Sequence, residues 1–146
     1  IHLQQLYMDE VQTEILLDEA KYDYVIDAID TISPKIALLT GCLKRKIKVI
    51  SSMGAGGRID PTRIAYADIS ETYHCALAKA VRKRLKDAGI SKGIKVVFSS
   101  EQPDRNAIIR TDEERNKKST VGTISYLPAI FGCYLAAYVI RKLSQK

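Results

Sequence analysis

"DYVIDAIDTISPKIALLTGCLKRKIKVISS", residues 23–52, runs an apolar stretch, a helical stripe and a second apolar stretch in direct succession. Tyr24, Val25 and Ile26 are consecutive apolar positions, the pattern of a strand covered on both faces, and a strand is predicted over 22–28. Ser33 is a good helix N-cap, and Pro34 suits the first helical position, where its missing N–H leaves no bond unmade. Ile36, Leu39, Leu43 and Ile47 recur at helical spacing, and Lys44, Arg45 and Lys46 would lie at the negative end of the helix dipole. A helix is therefore predicted over 34–46. "IKVISS", residues 47–52, returns as a β-branched strand. Strand, helix and strand at these lengths suit a right-handed parallel crossover. The unit would put Asp27 and Asp30 at the carboxyl end of its first strand, the edge where open parallel sheets bind ligands.

Working outward, "IHLQQLYM" (residues 1–8) reads as a strand and residues 10–20 as a short helix, which makes the chain an alternating α/β protein. Residues 53–63, "MGAGGRIDPTR", are turn-rich: Gly54, Gly56 and Gly57 can take positive φ or admit a ligand close to the backbone. Arg58, Asp60 and Arg63 flank that turn as candidate cleft residues, although Asp60 before Pro61 is also a good turn starter. "RIAYADI" (63–69) is predicted as a strand on the far side of the sheet. Residues 74–90 read as a helix with Leu77, Val81 and Leu85 on one stripe and Gly89 at its stop, and "IKVVFSS" (94–100) as a closing strand. Residues 101–120 are polar and charged and read as a long loop. Within it, "RTDEERNKKS" (110–119) is either a substrate-gating strip or disordered. No charged residue occurs over 121–140, yet Gly122, Thr123, Ser125, Pro128 and Gly132 interrupt the run. A buried helix or oligomer interface is expected there, in preference to membrane contact.

The 146 residues, 46% apolar and 27% charged, suffice for one globular domain with a real core. Lys and Arg exceed Asp and Glu by 23 to 17, and the net charge of +6 is compatible with an anionic partner such as a nucleotide or RNA. Seven basic residues, Lys79, Arg82, Lys83, Arg84, Lys86, Lys92 and Lys95, stand against Asp87 in one stretch, either an RNA-binding strip or a solvated face. Cys42, Cys75 and Cys133 are widely spaced and form no C-x-x-C pair, so neither a disulfide framework nor a zinc site is signalled, and a reducing, cytoplasmic setting fits. Cys42 and Cys133 are expected in the core. No basic segment followed by an apolar stretch opens the chain, so no secretory signal is visible.

Residues 22–143 resemble the ThiF-type, ubiquitin-activating-enzyme-like adenylating family. The matching motifs are D-x-I-D-x-x-x-P-K (27–35), G-A-G-G-x-x-D-P-T (54–62), A-D-I (67–69), a V-x-F-S-x-E-x-P stretch ending at Pro103, and G-T-x-S-Y-x-P-A-x-F-G (122–132). The most similar branch is the bacterial tRNA threonylcarbamoyladenosine dehydratases. The resemblance implies a Rossmann-like, mostly parallel α/β fold, usually homodimeric, that uses ATP and Mg²⁺ to adenylate a carboxylate. In that branch the carboxylate is that of threonylcarbamoyladenosine in tRNA, which cyclises with net loss of water. Asp30 matches the family's metal-binding and catalytic aspartate, the alternative being an acidic end to the strand or a cap on the following helix. Ala28, Ile29 and Lys35 become candidate nucleotide contacts, with Lys35, in the first turn of the helix, equally readable as a solvated residue, and Asp27 becomes a supporting residue. Lys79, Arg82, Lys83 and Lys86 become candidate tRNA contacts, with tRNA and not DNA as partner. Cys75, beside His74, lies where some relatives place a thioester-forming cysteine, but adjacent residues at a helix start point apart, which favours a packed residue. The absence of paired C-x-x-C motifs favours the dehydratases over activation of a ubiquitin-like sulfur carrier. The family's G-x-G-x-x-G phosphate loop should precede the first strand of the crossover and does not occur before residue 25. Residues 1–146 are thus expected to be the C-terminal part of one adenylating domain, binding ATP poorly alone, or a non-catalytic scaffold should Ile1 be the true start.

Overall fold

The crossover is present, with shorter strands than its sequence predicts and its helix shifted two residues toward the N-terminus. In the computed structural model, which describes residues 1–109 and 120–145, β1 spans Val25–Asp27, α2 spans Ile32–Lys44 and β2 spans Val49–Ser52, following α1 at Glu10–Glu19. Downstream lie β3 (Ile64–Asp68), α3 (Ala76–Asp87), β4 (Lys95–Ser99), the short β5 (Ile108–Ile109) and β6 (Thr120–Val121), and α4 (Tyr126–Ser144). The main sheet has the order β1-β2-β4-β3. Its first three strands are parallel, with Asp27 opposite Ser51, and β3 is antiparallel at the far edge.

Successive strand residues point to opposite faces. Val49 and Val96 face a core closed by Leu39 and Cys42 of α2 and by Val81 and Leu85 of α3. Ile50 and Val97 face Leu127, Phe131 and Leu135 of α4. With helices on both faces, the central strands read as continuous apolar runs and not as alternations. The predicted α/β class with a mostly parallel sheet therefore holds.

Local chemistry sets the helix ends. At the end of α2, Lys46 takes φ +57°, its N–H donates to Leu43 O and the Ile47 N–H donates to Cys42 O. Gly89 does the same after α3 at φ +78°, with Gly89 N–H to Lys86 O and Ile90 N–H to Leu85 O. Both are Schellman closures, in which the apolar residue after the left-handed position folds back on the helix.

Five expectations are corrected. Residues 1–8 form no strand, and Ile1 and Leu3 are exposed. Helix α2 begins at Ile32 with Thr31 as N-cap, so Ser33 and Pro34 both sit in the first turn. There the amides lack intrahelical partners in any case, and proline is harmless. Helix α3 begins at Ala76, capped by Cys75. Cys42 is fully buried as expected, but Cys133 is exposed, because α4 turns Leu127, Phe131 and Leu135 to the sheet and Cys133 away. The stretch 101–120 is not wholly loop, since β5 and β6 pair antiparallel. The strip 110–119 lies outside the described residues. Among the described residues no helix is long and apolar enough to cross a membrane.

Candidate active site

The site starts from a buried carboxylate. Asp27 closes β1, and its Oδ2 accepts hydrogen bonds from Lys35 Nζ at 2.5 Å and from Ser51 Oγ at 2.5 Å, while Lys35 Nζ also donates to Ser51 Oγ at 3.1 Å. All three residues are 0% exposed. Burial pushes the Lys35 ammonium below its ordinary pKa, and the Asp27 charge opposes that shift. The other Asp27 oxygen, Oδ1, accepts from the Ile29 N–H at 3.0 Å and so holds the turn that leads out of the strand.

That turn delivers Ala28 and Asp30 to a cleft of about 1330 Å³ at the carboxyl edge of the sheet. Ser52 at the end of β2 and the loop Met53 to Gly56 after it border it on one side. Ala80, Lys83 and Arg84 of α3 border it on a second, and Phe131 and Leu135 of α4 on a third. Arg58 shapes the glycine loop from beneath. Only 4% exposed, it donates Nε to Glu101 O (3.0 Å), Nη1 to Gly54 O (2.9 Å) and Gly56 O (3.0 Å), and Nη2 to His74 O (2.5 Å). The glycines mostly admit protein, not ligand. A Cβ on Gly56 would meet Val121 at 2.9 Å, while Gly57, at φ +70°, donates its N–H to Gly122 O.

Among the sequence candidates, Ala28 and Asp30 thus share the cleft wall. Ile29 packs against the core and Lys35 is turned inward to Asp27, so the reading of Lys35 as a solvated residue does not hold. Of the basic strip, Lys83 and Arg84 reach the cleft, and Lys79 and Lys86 are exposed on α3. Arg82 is half-buried, with its guanidinium on Thr72 Oγ1. Asp60 is the turn starter, accepting from Thr62 N and Oγ1, and Arg63 lies exposed beside it. Cys75 packs in the core and its Sγ accepts from Ala78 N, whereas His74 is exposed and its Nδ1 faces Ser100 O, so the two side chains diverge. The Asp27–Lys35–Ser51 cluster and the buried state of Arg58 were missed. A signal for the first existed: Lys35, Leu38, Leu39 and Cys42 form a buried stripe of α2 at helical spacing.

A cleft of nucleotide size at the carboxyl ends of parallel strands, with Asp30, Asp87, Lys83 and Arg84 in its lining, stands where an α/β sheet binds ligands. Residues 3–146 match the ThiF family model, and the chain belongs to the ThiF family. It is 39% identical over 150 residues to the tRNA threonylcarbamoyladenosine dehydratase of Bacillus subtilis, covering 98% of this chain and 58% of that protein. The structure of the Escherichia coli tRNA N6-threonylcarbamoyladenosine dehydratase with ATP superposes with a TM-score of 0.81 at 31% identity, over 95% of this chain and 54% of that one. The same enzyme with AMP gives 0.79 at 29%, over 95% and 55%. The chain therefore has the Rossmann-like adenylating fold and spans a little over half the length of these relatives.

Proposed function

We propose that this chain provides the Asp30 part of an ATP-dependent enzyme that dehydrates threonylcarbamoyladenosine in tRNA. The observation that carries the reading is the Asp30 cleft at the carboxyl edge of β1 and β2, in a fold that superposes on a dehydratase holding ATP. Adenylation joins AMP to the carboxylate with release of pyrophosphate from ATP, and a nucleophile within the same group then displaces AMP, closing a ring with net loss of water. The named relatives favour this reading over activation of a ubiquitin-like sulfur carrier.

Asp30 is the candidate ligand for Mg²⁺. Among the described residues no group of three or more His, Cys, Asp or Glu could cage a metal ion. A single carboxylate ligand nevertheless fits Mg²⁺, which binds through one or two carboxylates together with the phosphates it accompanies. When bound, the ion would neutralise charge at the α-phosphate. Ala28 would line the nucleotide's side of the cleft, and Lys83 and Arg84 would meet RNA phosphates at its rim. Three free thiols suit a reducing, cytoplasmic setting, and the exposed small and apolar residues Ala129, Cys133 and Ile140 of α4 suit a homodimer interface.

The test incubates the complete protein with ATP, Mg²⁺ and tRNA bearing threonylcarbamoyladenosine, then weighs the digested nucleosides. Loss of one water by that nucleoside, abolished in Asp30→Ala, is the expected result. An unchanged nucleoside with ATP still bound would redirect the reading to a carrier protein, and no ATP binding would leave a scaffold.

A further inference from the structure

Replacing a buried ion pair by apolar side chains of similar volume is often neutral or stabilising, so stability alone does not account for Asp27–Lys35. What the pair does in space is specific. It joins the end of β1, the first turn of α2 and β2 at one point behind the cleft, and Asp27 Oδ1 accepts from the Ile29 amide, one residue before Asp30. Lys35 and Ser51 both hold Oδ2, which aims Oδ1 at that amide. Among the described residues no buried side-chain nitrogen or oxygen lacks a partner, so the cluster is fully satisfied in this arrangement.

We infer that Asp27 is a positioning residue for Asp30, acting through the Ile29 N–H, and that Lys35 and Ser51 fix the orientation of its carboxylate. Lys35 then serves the site without touching nucleotide. The inference rests on the proposed role of Asp30 for its functional meaning and on geometry for the rest.

Two double variants of the complete protein separate positioning from packing. Asp27→Asn with Lys35→Met removes both charges yet keeps an oxygen for the Ile29 amide, with the new amide group donating to Ser51 Oγ. Asp27→Leu with Lys35→Met removes the charges and the acceptor together. At matched melting temperatures, the Leu variant should show faster hydrogen exchange at amides 28–31 and a kcat lower by about 10- to 100-fold, with a smaller change in KM for ATP. The Asn variant should keep wild-type exchange and activity to within a few-fold. Wild-type exchange and kcat in the Leu variant, or equal losses in both, would overturn the inference. If the Leu variant does not fold, Ser51→Ala takes its place with the same exchange contrast expected. A silent wild type would refute the proposed activity instead, and the exchange contrast alone would then decide the positioning role.

Discussion

Arg58 shows how one side chain can shape a cleft without entering it. Its four carbonyl acceptors come from Gly54, Gly56, His74 and Glu101, so a single planar fork ties the glycine loop to the approach to α3 and to the end of β4. A lysine has the charge but not the fixed, planar set of donors. Arg58→Lys should therefore leave carbonyls and an ammonium poorly matched in a site that is 4% exposed, lowering stability by about 2–3 kcal/mol in a urea melt. A melt indistinguishable from wild type would show that water or loop movement satisfies those carbonyls equally well. The sequence places Arg58 beside the glycine turn, yet nothing local tells whether a guanidinium there faces ligand or backbone. The distinction rests on carbonyls up to 43 residues away.

At the scale of elements, the readable features were those with a local cause. Apolar runs, a helical stripe and a glycine stop found β1, β2, β4, α2 and α3, because each signal lies within the element it predicts. Residues 1–8 failed for the complementary reason: apolar side chains make a strand only where a neighbouring strand accepts the ladder, and among the described residues β1 pairs with β2 alone. The docking of α1 on α2 was equally out of reach. It depends on Leu17 meeting Gly41, where an added Cβ would stand 2.7 Å from Leu17 Cδ1, and on Arg45 of α2's C-cap bonding Glu14 at 2.8 Å and Asp18 at 2.8 Å. The hydrogen bonds from Arg45 hold both carboxyls below their ordinary pKa. A depressed carboxylate pKa contributes stability above the unfolded-state value and loses it as pH falls through the folded one. Acidification from neutral to about pH 3 should therefore lower the melting temperature of wild type more than that of Arg45→Met, the two curves converging at the acid end. Parallel curves would mean that the apolar contact, not the ion pairs, fastens α1.

For the molecule as a whole, an excess of six positive charges says little until the fold sorts it. Lys83 and Arg84 stand on the cleft, Lys79 and Lys86 on exposed α3, and Arg82 is engaged by Thr72 inside the structure. A linear run of basic residues is thus divided by helix geometry into a rim that could grip a phosphate backbone, an outer face and one internal strut. Each phosphate contact releases counterions, so removing one flattens the dependence of log K on log salt by about 0.7–0.9. If tRNA enters over the rim, binding of the complete protein to tRNA should lose about that much slope in Lys83→Ala and again in Arg84→Ala. Arg82→Ala should leave the slope unchanged and lower the melting temperature, because its guanidinium is held at Thr72 and not at the cleft rim. Lys86→Ala measures how far the RNA extends: a flattened slope would carry the backbone across the outer face of α3, and an unchanged one would confine it to the Asp30 cleft. A loss of slope in Arg82→Ala with none in Lys83→Ala or Arg84→Ala would refute this division of the charge and with it the placement of tRNA at the rim.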